Sequence, residues 1–318
     1  MCDKFKTETS NSFEDISIIM AVYNHEATLG HAIESALMQE MPFKSVIYCL
    51  DDASTDKSAE ILRDYAERYP DKIKVFTSSR NQGSGKKSFY HNRPPVKGKY
   101  WCLLAGDDYW ITSDKLVKQI SFLEKNPAYS GCSCNTLMKN EKSGEDTLIK
   151  PSLDSWNLLD LILHSNKYNF YVHTASIIWR NIYLSQGFFL PPSFKKKYAK
   201  GDVILNYMML ANGGKMKNIP EVMSCYQFTG RGVWSKLSAK EQKIQNANLK
   251  HKISRTIPIK YFFYSYLQVS LGGFAKFLLA MEIRGSEKST PKILSQCLKK
   301  LREYSKVLKK LIPGPLNE

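Results

Sequence analysis

The chain has 318 residues, 43% hydrophobic and 12% aromatic, which suits one large folded domain or a domain with an appendage and excludes a disordered chain. Its 46 Lys and Arg against 30 Asp and Glu leave a net charge of +16, which implies an anionic partner: nucleic acid, a phosphorylated substrate or an acidic membrane surface. The excess is uneven, because residues 236–318 hold 17 Lys and Arg against 5 Glu, a net of +12, and the first 235 residues carry only +4.

The N-terminal "MCDKFKTETSNSFED" is polar and has no apolar core of signal-peptide length. "ISIIMAVYN" (Ile16–Asn24) is a short, β-branched apolar run and predicts a buried parallel strand. "EATLGHAIESALMQE" follows, with Leu29, Ile33, Ala36 and Leu37 at helical spacing. "SVIYCL" (Ser45–Leu50) predicts a second buried strand. It stops at "DDASTD", whose residues suit a turn and the start of a helix from about Asp56 to Tyr69. "IKVFT" (Ile73–Thr77) and "KYWCLLA" (Lys99–Ala105) predict two more strands, and Asp114–Asn126 an amphipathic helix. Beyond Asn126 the pattern loosens. "HTASIIW" (His173–Trp179) reads as a strand, and "DVILNYMMLANGG" (Asp202–Gly214) as a helix with an acidic start and a glycine stop. "KMKNIPEVMSCYQF" holds one or two further strands.

Seven cysteines, at positions 2, 49, 102, 132, 134, 225 and 297, are odd in number, and several lie in apolar runs. That is the usage of reduced, buried thiols in a cytosolic protein. Cys132-Ser133-Cys134 lacks zinc-type spacing and reads as core. The apolar stretch Ile257–Ile283 is interrupted by Lys260, Gln268, Lys276 and Gly272-Gly273, so a buried or interfacial helix pair is expected there instead of a membrane span.

Strand–helix alternation at this spacing predicts βαβ units on a parallel sheet, where ligands bind at the carboxyl ends of the strands. The informative polar residues cluster at those ends: Tyr23, Asn24 and Glu26, then Asp51 and Asp52, then Asp107 and Asp108. Two adjacent carboxylates behind an apolar strand suit Mg²⁺ or Mn²⁺, which takes one or two protein carboxylates together with phosphate oxygens and water. The alternative is a solvated turn in which one of the pair caps the next helix. Asp51 and Asp52 also divide between capping and accepting the ring N–H of a pyrimidine base, on which Tyr23 could stack. "SSRNQGSGKKS" (Ser78–Ser88) is glycine-rich and basic but lacks the spacing of a nucleoside-triphosphate loop.

Taken together, "ISIIMAVYNHEATLGHAIESALMQ", "LDDASTDKSAEIL", "NQGSG" and "GKYWCLLAGDDYWITSDKLVKQISFLEKNP" resemble the inverting family 2 glycosyltransferases of the GT-A fold. The resemblance covers about residues 15–130. It continues in weaker form through "HTASIIWRN", "GDVILNYMMLANGGKMKNIPEVMSCY" and "GRGVWS" to about Ser235. It implies an α/β, Rossmann-like, mostly parallel central sheet flanked by helices. The nucleotide-sugar half would occupy 15–130 and the acceptor and catalytic-base half 131–235, between a polar tail (1–14) and a basic helical extension (236–318). It further implies that Ala21, Tyr23 and Glu26 line the nucleoside pocket and that Asp52 binds the base, normally uracil. Asp107 would contact the ribose or donor sugar, Asp108 would ligate Mn²⁺ or Mg²⁺, and Asp202 would be the general base. Apart from the resemblance, Asp202 is equally an acid placed at a helix N-terminus by the dipole.

The sequence departs from the family at two places. Many relatives carry Glu-Asp where this chain has Gly201-Asp202, and many close relatives read Tyr-Arg-x-His where it has Tyr226-Gln227-Phe228-Thr229. Any role of that histidine is absent or shifts to Arg231. Trp234 borders the acceptor, covers the donor or fills the core. His25 and His173 are single histidines without evident partners and read as structural.

In the tail, "PKILSQCLKKLREYSKVLKKLI" (Pro291–Ile312) sets leucines on one helical face and lysines around the rest. Such a helix suits an anionic bilayer, or packs on the body with a solvated lysine face. The expected function is metal-dependent, inverting sugar transfer from a nucleotide sugar to a capsule, lipopolysaccharide or lipid-linked glycan. The expected location is cytoplasmic, peripheral on the inner face of a bacterial plasma membrane, with no nucleic acid partner. Three alternatives remain. A nucleotidyltransferase would show a glycine-rich basic loop where "AVYNHEA" stands. A nucleic-acid-binding module leaves the acidic strand ends unexplained. A docking scaffold with an inactive body does not need Asp52, Asp108 and Asp202.

Overall fold

The computed structural model describes residues 14–81, 97–158, 160–161, 172–181, 201–211, 213–230, 237–238, 240–242 and 244. The chain divides into two compact units, Met1–Ser265 and Tyr266–Glu318, and every described residue belongs to the first. The stretch Ile257–Ile283, the basic helix and most of the Ser78–Ser88 loop lie outside the described residues.

In chain order the elements are β1 (Ile16–Val22), α1 (Leu29–Leu37), β2 (Ser45–Asp51), α2 (Ser58–Arg68), β3 (Ile73–Thr77), β4 (Tyr100–Ala105), β5 (Tyr109–Trp110) and α3 (Lys115–Lys125). Then follow β6 (Tyr129–Asn140), β7 (Asp146–Ile149), β8 (Ser155–Trp156), a 3-10 turn (Thr174–Ser176), β9 (Ile178–Arg180), α4 (Gly201–Ala211) and β10 (Lys215–Phe228). The described strands form one sheet in the order β3-β2-β1-β4-β9-β6-β10-β5, with β7 on β6 and β8 on β10. The first four are parallel neighbours. β9 runs antiparallel to both β4 and β6, so β6 and its parallel partner β10 point the same way as β4.

The β1 side chains alternate across the sheet. Ile16, Ile18, Met20 and Val22 join a core with α1, α2 and α3, while Ile19 joins a second core with Trp101, Trp156, Trp179 and α4. Helices therefore cover both faces, which is why these strands read as continuous apolar runs. α4 stops at Gly213 and Gly214, whose φ values of 101° and 85° suit glycine.

The loosened pattern after Asn126 hides β6. Its sequence "YSGCSCNTLMKN" carries Ser and Asn where a buried strand would carry valine or isoleucine. Those polar groups are paired across the sheet: Ser133 Oγ donates to Asn218 Oδ1 at 2.9 Å, and Asn218 Nδ2 donates to Asn135 Oδ1 at 2.9 Å. Cys132 and Cys134 are buried in this strand, as expected, and the described cysteines 49, 102, 132, 134 and 225 are all free and buried. "HTASIIW" is not a strand throughout. Its first half is the 3-10 turn, closed by Ser176 N and Oγ donating to the His173 carbonyl at 3.0 and 2.7 Å, and only its last two residues belong to β9. β10 is a single strand with irregular register near Ile219–Ser224. Among the described residues no helix is long and apolar enough to cross a membrane.

Candidate active site

The site forms where β1, β2 and β4 end. Val22 pairs with Asp51 and Ala21 with Ala105, so the three following loops leave the sheet side by side. β1 is buried except at Ala21, which is exposed. Ala21, the penultimate residue of the strand, thus opens to solvent at the carboxyl end of the sheet. It shares a strand face with Ile19, the face that α4 covers further back. Tyr23, at the rim, is 41% exposed.

The loops after β1 and β2 are bound to each other. Asn24 and Ala53 take left-handed backbone conformations, φ 55° and 58°. Asn24 Oδ1 accepts from Thr55 N at 2.8 Å, His25 N donates to Ser58 Oγ at 2.8 Å, and Glu26 N donates to Asp56 Oδ2 at 3.0 Å. The Glu26 carboxylate accepts from Lys57 N at 3.0 Å, so it works in this clasp. Asp51 is buried, and its Oδ1 accepts from Ser54 N at 3.1 Å and Ser54 Oγ at 2.5 Å. Asp51 is therefore the residue that shapes the turn, and Asp52, half-buried, stands next to it at the rim.

The second pair is arranged differently. Asp107 is partly exposed, with His25 Nε2 3.7 Å from its Oδ2. Gly106 permits that approach, because a Cβ there would come within 2.7 Å of His25 Nδ1. Asp108 is only 5% exposed. Its Oδ1 accepts from Gln227 N at 3.3 Å, and its Oδ2 lies 3.7 Å from His173 Nε2. The His173 ring stacks on Tyr226 with centroids 4.4 Å apart, and its Nδ1 accepts from Ala175 N at 3.4 Å. Burial, reinforced by the neighbouring Asp107 charge, holds the Asp108 carboxyl well above the usual carboxylate range. Burial pushes the His173 imidazole down to about 4, so at neutral pH it does not supply a compensating charge. The expectation that His25 and His173 are partnerless is thus corrected: each histidine faces one of the paired aspartates. The local signal for His25 was its place at the end of β1; nothing in the spacing around His173 pointed to Asp108.

Among the described residues no three His, Cys, Asp or Glu side chains gather into a closed metal cage. The donor set suits a different kind of site. A buried carboxylate met by one backbone N–H is short of positive charge, and an adjacent carboxylate adds to the deficit. A hard divalent cation that draws its other ligands from a phosphate and water fits that pair. Asp202 is the second residue of α4; its side chain, Arg231 and Trp234 lie outside the described residues. One turn later, Leu205 and Asn206 line a small pocket with Leu103, Thr174, Ile177 and Trp179. The start of α4 is thereby brought near the turn that carries His173.

Comparison with known proteins agrees with this architecture. Residues 17–184 match the family model described as glycosyl transferase family 2. The uncharacterised protein Rv1520 of Mycobacterium tuberculosis is 28% identical over 224 residues, covering 69% of this chain and 60% of its own. The UDP-Glc:alpha-D-GlcNAc-diphosphoundecaprenol beta-1,3-glucosyltransferase WfaP of Escherichia coli is 32% identical over 117 residues, covering 36% of this chain and 44% of its own. The match thus spans less than two thirds of either relative. In structure, S. aureus TarS 1-349 in complex with UDP superposes with a TM-score of 0.54 at 15% identity, covering 80% of this chain and 87% of that one, which shows a shared fold. With the family model matching more than half of its residues, this chain belongs to glycosyl transferase family 2.

Proposed function

We propose that the chain is a metal-dependent, inverting glycosyltransferase that moves a sugar from a nucleoside diphosphate sugar, UDP being the favoured nucleotide, to a hydroxyl of a growing surface glycan or lipid-linked oligosaccharide. The observation that carries this reading is the buried, undercompensated Asp108 carboxylate beside Asp107, at the strand ends where Ala21 is exposed. The UDP bound to TarS and the UDP-Glc donor and diphosphoundecaprenol acceptor named for WfaP support the choice of substrates.

Each residue then has a task. Tyr23 stacks on the base, and Asp52 accepts its ring N–H. Glu26 holds the pocket wall by clasping the α2 loop. Asp108 would ligate Mn²⁺ or Mg²⁺ directly, while Asp107 faces the ribose or donor sugar. A bound divalent cation would neutralise the diphosphate as it leaves. Asp202 removes the proton of the acceptor hydroxyl as its oxygen bonds to the anomeric carbon and the bond to the diphosphate breaks on the opposite side, which inverts that carbon. Arg231 and Trp234 are assigned to phosphate and acceptor contacts. The body is assigned to 15–235. The basic extension 236–318 is assigned to an anionic membrane surface, so that the enzyme works from the cytoplasmic side and meets a lipid-carried acceptor.

The test is a thermal-unfolding screen of nucleotide sugars with Mn²⁺ or Mg²⁺. Metal-dependent stabilisation by one or more of them, lost in Asp108→Ala, is expected. The reading fails if no nucleoside diphosphate protects the protein with either metal and Asp108→Ala melts like the parent throughout.

A further inference from the structure

We infer that His173 is a positioning residue that orients Asp108 toward its cation through the imidazole Nε2–H. This rests on the metal assignment made above. Three observations carry it. First, Nδ1 accepts the Ala175 N–H at 3.4 Å, and a ring nitrogen that accepts has no proton of its own. The proton of the neutral ring is therefore on Nε2, which faces Asp108 Oδ2 at 3.7 Å. A nitrogen that carries a proton toward a carboxylate does not ligate a metal, so His173 acts on Asp108 and leaves ligation to the carboxylate.

Second, the turn that presents the ring is anchored from below. Trp110 Nε1 donates to the Ala175 carbonyl at 2.8 Å, and Gln119 Nε2 donates to the Ser176 carbonyl at 2.8 Å. Lys115 Nζ donates to Gln119 Oε1 at 2.8 Å and lies 4.5 Å over the Trp110 ring, so the anchors are themselves held. Trp110 follows Asp108 by two residues, and the short strand β5 thus ties carboxylate and imidazole to one support. Third, the Gln227 N–H engages Oδ1 while His173 faces Oδ2. One hydrogen bond on Oδ1 and a ring held 3.7 Å from Oδ2 together limit the rotation of the carboxylate, as outer-shell partners do for metal ligands generally.

The experiment is a Mn²⁺ titration of the full chain with UDP present, following free Mn²⁺ by electron paramagnetic resonance. His173→Phe keeps a ring to stack on Tyr226 but has no N–H, and it should bind Mn²⁺ about 10- to 100-fold more weakly. His173→Gln, whose amide reaches the Nε2 position, should recover most of the affinity, whereas His173→Asn, whose amide lies near Nδ1, should not. If His173→Phe titrates like the parent while Asp108→Ala has lost Mn²⁺, the inference is overturned. If Asp108→Ala also titrates like the parent, the metal assignment fails and the inference falls with it. Should His173→Phe fail to fold, equal Mn²⁺ affinity in the Gln and Asn variants overturns the inference on its own.

Discussion

Asp51-Asp52 and Asp107-Asp108 are the same dipeptide at the ends of the two strands that flank β1, yet the fold uses them in opposite ways. In the first pair the leading aspartate is buried, and one of its oxygens, Oδ1, is engaged within its own turn by Ser54 three residues on, while Oδ2 is buried without a hydrogen bond among the described residues. In the second pair the trailing aspartate is buried, and the groups that meet it come from far along the chain: the Gln227 N–H, 119 positions away, and the His173 ring. The bonds Asp51 does make shape the turn that leads into α2. Asp108 is instead buried among groups that only the folded chain brings to it, beside the Asp107 charge, an arrangement held at a cost to folding.

The largest effect that would break this contrast is expected at Asp108. Asp108→Asn should lower transfer on the order of 10³-fold and abolish the Mn²⁺-dependent rise in melting temperature with UDP. The same variant should melt higher than the parent in EDTA, because a buried charge has been removed; a lower melting point there would show that the carboxylate is already compensated. Asp202→Asn should lose transfer by roughly 10²- to 10⁴-fold while calorimetry shows UDP binding retained, and full turnover in that variant would remove the base assignment. Asp51→Ala should cost about 1–3 kcal/mol in urea unfolding and leave Mn²⁺ affinity unchanged, the reverse of the Asp108 outcome. Asp52→Ala should weaken UDP binding about tenfold with little change in stability, measured by the same calorimetry. Glu26→Ala is the smallest, about 1 kcal/mol of stability for the lost bond to Lys57 N, with a smaller change in UDP affinity than Asp52→Ala; the opposite ranking would return Glu26 to direct nucleoside contact.

The first half of the molecule was readable because its information is local. β1 to β4 are apolar runs broken by turn residues, and α1 to α3 show one apolar face each, so type and order follow from period and length. Observed helix limits are tighter than expected, Leu29–Leu37 within 26–40, because residues 25–28 are drawn into the loop clasp. β6 was not readable, since its Ser and Asn are buried only by virtue of partners on β10. The turn at Thr174–Ser176 was hidden in the same way: Ile177 and Ile178 directly after it suggest that the strand begins earlier, but Trp110 and Gln119 take its carbonyls.

The amino-acid sequence alone determined the parallel βαβ half, the strand-end carboxylates and the family to which the residues belong, because hydrophobic period and turn chemistry act over a few neighbouring positions. Only the tertiary structure decided which aspartate of each pair is buried, that Glu26 clasps a loop, and that His25 and His173 face Asp107 and Asp108. The settings of Asp51, Glu26 and His25 follow from the loops of β1, β2 and β4 meeting side by side, and the setting of Asp108 from where β9, β6 and β10 dock beside β4; pairing between segments so far apart leaves no periodic trace in either of them.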